Sequence, residues 1–230
     1  MFFFDPLYFL FALPALLAMC YAQWRVRSAY GKYSQVRNTR NATGAEVARV
    51  LLQSSGLHDV QIGVSQGQLT DHYNPWDKSL NLSPDVYQRP SVAAMGIVAH
   101  EVGHAVQDAQ GYALMRVRGA LAMPANLGSN LGVWLAVIGV LVQSSGVAWL
   151  GILLFSAAVL FTLVTLPVEL DASNRALAML TNTGLVTVEE RNGAKSVLQA
   201  ASLTYVAALL QSVMTLLYFV IRLGGLGRDE

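Results

Sequence analysis

From Gly119 to Val168 the chain runs for fifty residues without a single Asp, Glu, Lys, Arg or His. A helix that crosses a bilayer needs about 20 apolar residues. This run therefore holds two crossings and a short turn, which is predicted at Gln143-Ser144-Ser145-Gly146. The first helix is expected from Leu121 to Val142, with Pro124 near its start. The second is expected from Val147 to Leu166, with Pro167 near its end. A third uncharged apolar run covers Ala200 to Ile221, and Phe2 to Ala22 carries only Asp5.

Charge placement orients these four segments. The first has no basic residue ahead of it, which speaks against a cleaved signal peptide. Arg25, Arg27, Lys32, Arg37 and Arg40 follow it instead. That is the pattern of an anchor whose C-terminal side faces the cytoplasm. Residues 24–118 carry ten Lys and Arg, and residues 169–199 three more, so 13 of the 15 lie on the side assigned to the cytoplasm. Arg222 and Arg228 fall on the outer side. They are a mild violation, which a shallow or re-entrant last segment would remove.

Composition agrees. The chain is 54% hydrophobic and 13% charged, against about 25% charged in a soluble domain. A net charge of +1 and the lack of a basic–aromatic patch give no support to a nucleic-acid partner. Cys20 is the sole cysteine, so no internal disulfide can form. It reads as a small apolar residue facing lipid or a helix. No internal repeat or low-complexity segment is visible.

The residues between the first two spans read as a small mixed domain. Thr43-Gly-Ala-Glu46 is a capping box ahead of Val47, Val50, Leu51 and Leu52. That helix is expected to stop at Gly56. Val60–Val64, Leu69–Tyr73 and Leu80–Leu82 read as short strands. Ser83-Pro84 reads as an N-cap and first helical position. After the hairpin, residues 169–199 read as helical and polar, with Thr187-Val-Glu-Glu190 capping a stretch through Gln199.

The chemistry concentrates at His100-Glu-Val-Gly-His104. Histidines four apart lie on one helical face, where both imidazoles can hold one Zn²⁺. Glu101 can reach a water on that ion as a base. Chance would produce this HExxH pattern about 0.002 times in a chain of this composition; the rival is a helix with two buried histidines. Ser91 is the expected N-cap, Val92 to Gln110 the helix, and Gly111 its end. Gly103 costs about 1 kcal/mol relative to alanine inside a helix. A close approach of metal, substrate or another backbone would account for it.

A catalytic zinc site needs a third protein ligand. Candidates are His58, His72, Asp71, Asp108, Glu169 and Asp171. Glu169 is preferred. It is the first ionisable residue after the hairpin, and a carboxylate beside the membrane is costly unless paired. On the residues alone, an interfacial acid in water or paired with Arg175 is an equal reading.

Ala99-His-Glu-Val-Gly-His-Ala105, Pro167-Val-Glu-Leu-Asp-Ala-Ser-Asn-Arg-Ala176 and Asp71-His-Tyr-Asn-Pro75 resemble the neutral zinc metallopeptidases of bacterial membranes, the YugP-like family. More distantly, the chain is similar to HtpX-like and prenyl-protein membrane metallopeptidases. The resemblance spans nearly the whole chain. It implies zinc-dependent peptide hydrolysis, one Zn²⁺ per chain, and Glu169 as the third ligand. One departure stands out. The gluzincin pattern has Asp four residues after the ligand Glu, where this chain has Ser173. The group that steadies a ligand histidine is therefore open among Ser173, Asp171, Asn174 and Asp108, and for Asp171 and Asp108 a plain surface acid is an equal reading.

Asp71–Pro75 reads as a strand end that can pair with an extended substrate. His72, Tyr73 and Arg175 are oxyanion candidates; the plainer reading has Tyr73 packed and His72 solvated. The expected fold is an α-helical membrane protein of about four spans with a small α+β zincin-like catalytic region. Its expected segments are an anchor at 1–23, a cytoplasmic α+β region at 24–118, a membrane hairpin at 119–168, a cytoplasmic helical segment at 169–199, and a last span with tail at 200–230. The expected protein is a multi-pass peptidase of the inner (plasma) membrane. Its active site faces the cytoplasm, and its partners are a membrane-associated polypeptide and the lipid bilayer. Rival readings are an intramembrane protease and a non-catalytic zinc-stabilised scaffold.

Overall fold

The computed structural model of the chain describes residues 5–226, with side chains through Leu223. Arg228 thus lies outside the described residues. The elements are α1 (Pro6–Tyr33), α2 (Gly44–Ser54), β1 (Gln61–Val64), β2 (His72–Asn74), β3 (Ser79–Leu82), α3 (Pro84–Gln88), α4 (Val92–Ala109), α5 (Ala113–Leu127), α6 (Val133–Leu141), α7 (Ser145–Asn182) and α8 (Val188–Leu226). A π-helical stretch, Gly128–Gly132, joins α5 to α6. Four helical stretches are long and apolar enough to cross a membrane: Pro6–Tyr33, Ala113–Leu141, Ser145–Asn182 and Val188–Leu223.

Three expectations for the long helices need correction. Pro167 does not end its helix, because α7 continues to Asn182. A proline removes one i→i−4 hydrogen bond, but the helix on either side can hold the geometry across that gap. The segment after Thr187 does not stop at Gln199 either; it continues as one helix to Leu226. The last segment is therefore a long continuous helix, not a re-entrant one. Finally, the first hairpin helix begins at Ala113, eight residues ahead of the expected Leu121.

The chain divides into two compact units. The first gathers Met1–Ala22, Ala113–Pro167 and Thr204–Glu230. Small residues set its helix packing. A Cβ on Gly132 would lie 2.7 Å from the Phe155 backbone nitrogen, and one on Gly151 would lie 2.7 Å from the Gly132 carbonyl. Such backbone-to-backbone approach is how helices associate where lipid removes the hydrophobic drive. The hairpin turn is made by Gln143 at φ 55°. Asp5 accepts a hydrogen bond from the Tyr218 hydroxyl at 3.2 Å and lies 3.8 Å from Arg222 Nε. Arg222, which runs against the topology pattern, therefore has a counter-charge.

The second unit gathers Gln23–Tyr112 and Val168–Leu203. Its core is built from Val47, Leu51, Leu80, Leu82, Met95, Val98, Val102 and Leu180, all fully buried. Helix α2 carries the predicted capping box, with Thr43 and Glu46 bonded reciprocally. Gly56 follows its end at φ 71°. The sheet has the order β1-β3-β2, with β1 parallel and β2 antiparallel to β3. Pro84 opens α3, but Ser83 does not cap it. Its backbone N–H and hydroxyl are turned to the Asp71 carboxylate, at 2.7 and 3.0 Å.

Candidate metal centre

Ser91 caps α4 by accepting from the Ala94 N–H at 3.2 Å. The chain then turns at Gly111, φ 64°. Between these ends, His100, Gly103, His104 and Gln107 fall at i, i+3, i+4 and i+7 on one face. Glu169, Ala172, Ser173 and Ala176 form the same stripe on α7, and all four are buried. The two stripes meet at Gly103, where a Cβ would lie 2.6 Å from the Ala172 carbonyl oxygen. Of the three possible reasons for a glycine here, the structure shows the approach of another backbone.

That contact brings His100, His104 and Glu169 together. One ligand atom from each falls within 4.8 Å of the others. Glu169 Oε2 lies 3.1 Å from His100 Nε2 and 3.6 Å from His104 Nε2. Ligands about 2.1 Å from a tetrahedral ion stand about 3.4 Å apart, close to the two carboxylate–imidazole separations, so the trio could hold a metal ion. Two imidazoles and one carboxylate leave a fourth position open.

Glu101 faces β2, where its Oε2 accepts the Tyr73 backbone N–H at 3.0 Å. Burial pushes its carboxyl above the usual carboxylate range. The histidines and the Tyr73 N–H oppose that rise without cancelling it. Burial pulls His104 down, but Glu169 and Glu101 outweigh it and leave the imidazole raised.

The remaining candidates separate. Ser173 Oγ lies 3.1 Å from His100 Nδ1, so the residue in the gluzincin Asp position still touches a histidine of the trio. Among the described residues no hydrogen bond joins Asp171 to a histidine of the trio; its Oδ2 accepts from Gln107 Nε2 at 2.8 Å and from Arg175 Nε. Gln107 in turn reaches His104, with Oε1 3.0 Å from Nδ1. Asp108 accepts the Tyr73 hydroxyl at 2.8 Å. Burial and this hydrogen bond raise the Tyr73 phenol well above its ordinary value. Arg175 is committed to Asp171, to Gln110 Oε1 at 2.6 Å and to the Tyr112 ring. His72 is exposed and gives its Nδ1–H to the Thr70 carbonyl at 2.8 Å. Among the described residues no hydrogen bond joins it to the trio. Asn174 is exposed.

Gln107 is not among the residues that the sequence singles out. Its signal is helical spacing, three residues past His104 on the same face. Sequence alone does not reveal that this polar side chain is fully buried.

No solved structure matches the chain. The family model described as "Putative neutral zinc metallopeptidase" matches residues 8–224. The chain is 43% identical over 223 residues to "Putative membrane protease YugP" of Bacillus subtilis (strain 168), covering 96% of this chain and 99% of that relative. With the family model spanning nearly the whole length and that relative aligned from end to end, the chain belongs to the family described as putative neutral zinc metallopeptidases.

Proposed function

We propose that this chain is a membrane-embedded zinc endopeptidase. It hydrolyses membrane-associated or misfolded polypeptides at the cytoplasmic face of the plasma membrane, with one Zn²⁺ per chain. The observation that carries the reading is the convergence of His100, His104 and Glu169 donor atoms within 4.8 Å, with Glu101 next to His100. A bound Zn²⁺ supplies Lewis-acid chemistry, lowering the pKa of its water to about 7 and polarising a carbonyl.

The residues divide the remaining work. His100 and His104 from α4 and Glu169 from α7 would hold the ion. Glu101 has one oxygen fixed by the Tyr73 N–H. The other can take a proton from water and pass it to the leaving amine. A carboxyl raised by burial suits a group that must both accept and return a proton. Edge strand β2 lies beside that base and offers a main-chain template for an extended peptide. The cytoplasmic orientation is supported by the 13 of 15 Lys and Arg residues within 24–118 and 169–199.

The test is Glu101→Gln in detergent-purified protein. Zinc content should match wild type, while peptide turnover falls about 10²–10⁴-fold, the usual contribution of a positioned base. Unchanged turnover would remove Glu101 from the chemistry.

A further inference from the structure

Gln107 carries no charge and is 0% exposed, and its polar contacts fix the direction of its amide. Its Nε2 lies 2.9 Å from the Val168 carbonyl oxygen and 2.8 Å from Asp171 Oδ2. Both are hydrogen-bond acceptors, so the nitrogen of the amide must face them. The oxygen is thereby turned to His104 Nδ1 at 3.0 Å. An amide oxygen can only accept, so the proton of a neutral His104 must sit on Nδ1. The Nε2 lone pair is then left facing Glu169, 3.6 Å away.

His100 is treated differently. Its Nδ1 meets the Ser173 hydroxyl at 3.1 Å, and a hydroxyl can donate or accept. Ser173 therefore tolerates either tautomer, whereas Gln107 admits one. Asp171 is itself fixed by Arg175, which also reaches Gln110. A chain of contacts runs from Arg175 through Asp171 and Gln107 to His104.

We propose that Gln107 is the positioning residue of this site: anchored by Val168 and Asp171, it locks His104 as the Nδ1–H tautomer and presents Nε2 to the metal. The inference rests on the zinc reading above. It assigns to a glutamine on the motif helix the task that an Asp on the other helix performs in the gluzincin pattern.

The experiment is a chelator competition titration that gives the zinc dissociation constant of the full-length protein in detergent. Gln107→Met keeps the bulk and removes the acceptor. It should weaken zinc binding about 10–100-fold, the usual cost of losing a partner that orients a ligand. In Gln107→Glu one oxygen still faces Nδ1, while the other, set against the Val168 carbonyl and the Asp171 carboxylate, must carry a proton to replace the amide N–H; held that way, the variant should bind zinc several-fold more tightly than Gln107→Met. Asp171→Ala leaves α4 intact and should fall between wild type and Gln107→Met, which keeps the idea testable if the Met variant does not fold. Wild-type affinity in Gln107→Met, or equal loss in the Met and Glu variants, would overturn the positioning role while leaving the zinc reading intact. Absence of zinc binding by wild type would overturn both.

Discussion

At the residue scale, Glu101 couples chemistry to stability. Its pKa is raised in the folded state by burial. A carboxyl raised on folding penalises the folded state once it ionises. The penalty is absent well below the unfolded pKa and complete above the folded one. In metal-free protein, Glu101→Gln should therefore melt higher than wild type at pH 7, and the gap should close as pH falls toward about 4.3, the unfolded carboxylate value. Thermal unfolding at both pH values checks this; a less stable variant at pH 7 would contradict it. His100, Glu101 and His104 are legible in the sequence because one helix fixes their spacing. Glu169 is only half legible, since its distance from the histidines depends on how α7 packs on α4, which no local pattern encodes. Gln107 escapes a sequence reading because glutamine is mostly exposed in folded proteins, and its burial here follows from that same packing.

At the scale of elements, the site depends on how closely two helices approach. Gly103 permits the Ala172 backbone to sit against α4. Gly103→Ala should force α4 and α7 apart, cost about 1–3 kcal/mol as overpacking does, and weaken zinc binding. Gly119, in α5, is a contrasting control, because a Cβ there meets nothing within 4 Å. Gly119→Ala should be neutral or stabilising by up to about 1 kcal/mol, through helix propensity and reduced unfolded-state entropy. Denaturant midpoints and chelator titrations of both variants separate a packing requirement from a general intolerance of alanine. Removing the α4 cap by Ser91→Ala should cost about 1 kcal/mol, seen as a lower unfolding midpoint. The caps at Thr43, Ser91 and Thr187 are readable because capping is local chemistry. The passage of α7 through Pro167 is not, since proline is read as a stop unless the continuing helix is seen.

At the scale of the whole molecule, four apolar helices and lopsided basic charge define a multi-pass chain with a proposed cytoplasmic site. With Cys20 replaced by serine, a cysteine at Trp76, which is 93% exposed, should react with an impermeant maleimide only after the cytoplasmic face is opened. A cysteine at Gln143, in the hairpin turn, should react from outside in intact cells. The reverse result would invert the topology. The four candidate spans are legible because length and hydropathy are additive along the chain. The division into two units is not, since each unit is assembled from separated segments. The proposed chemistry requires a divalent ion shared between α4 and α7. Its most direct test is the metal content of detergent-purified wild type beside Glu169→Ala, by mass spectrometry with folding verified by circular dichroism. About one zinc per wild-type chain and a large loss in the variant is the expected result, as for a site of three protein ligands. Wild-type protein without zinc, or a Glu169→Ala protein that holds it equally well, would contradict a shared metal site.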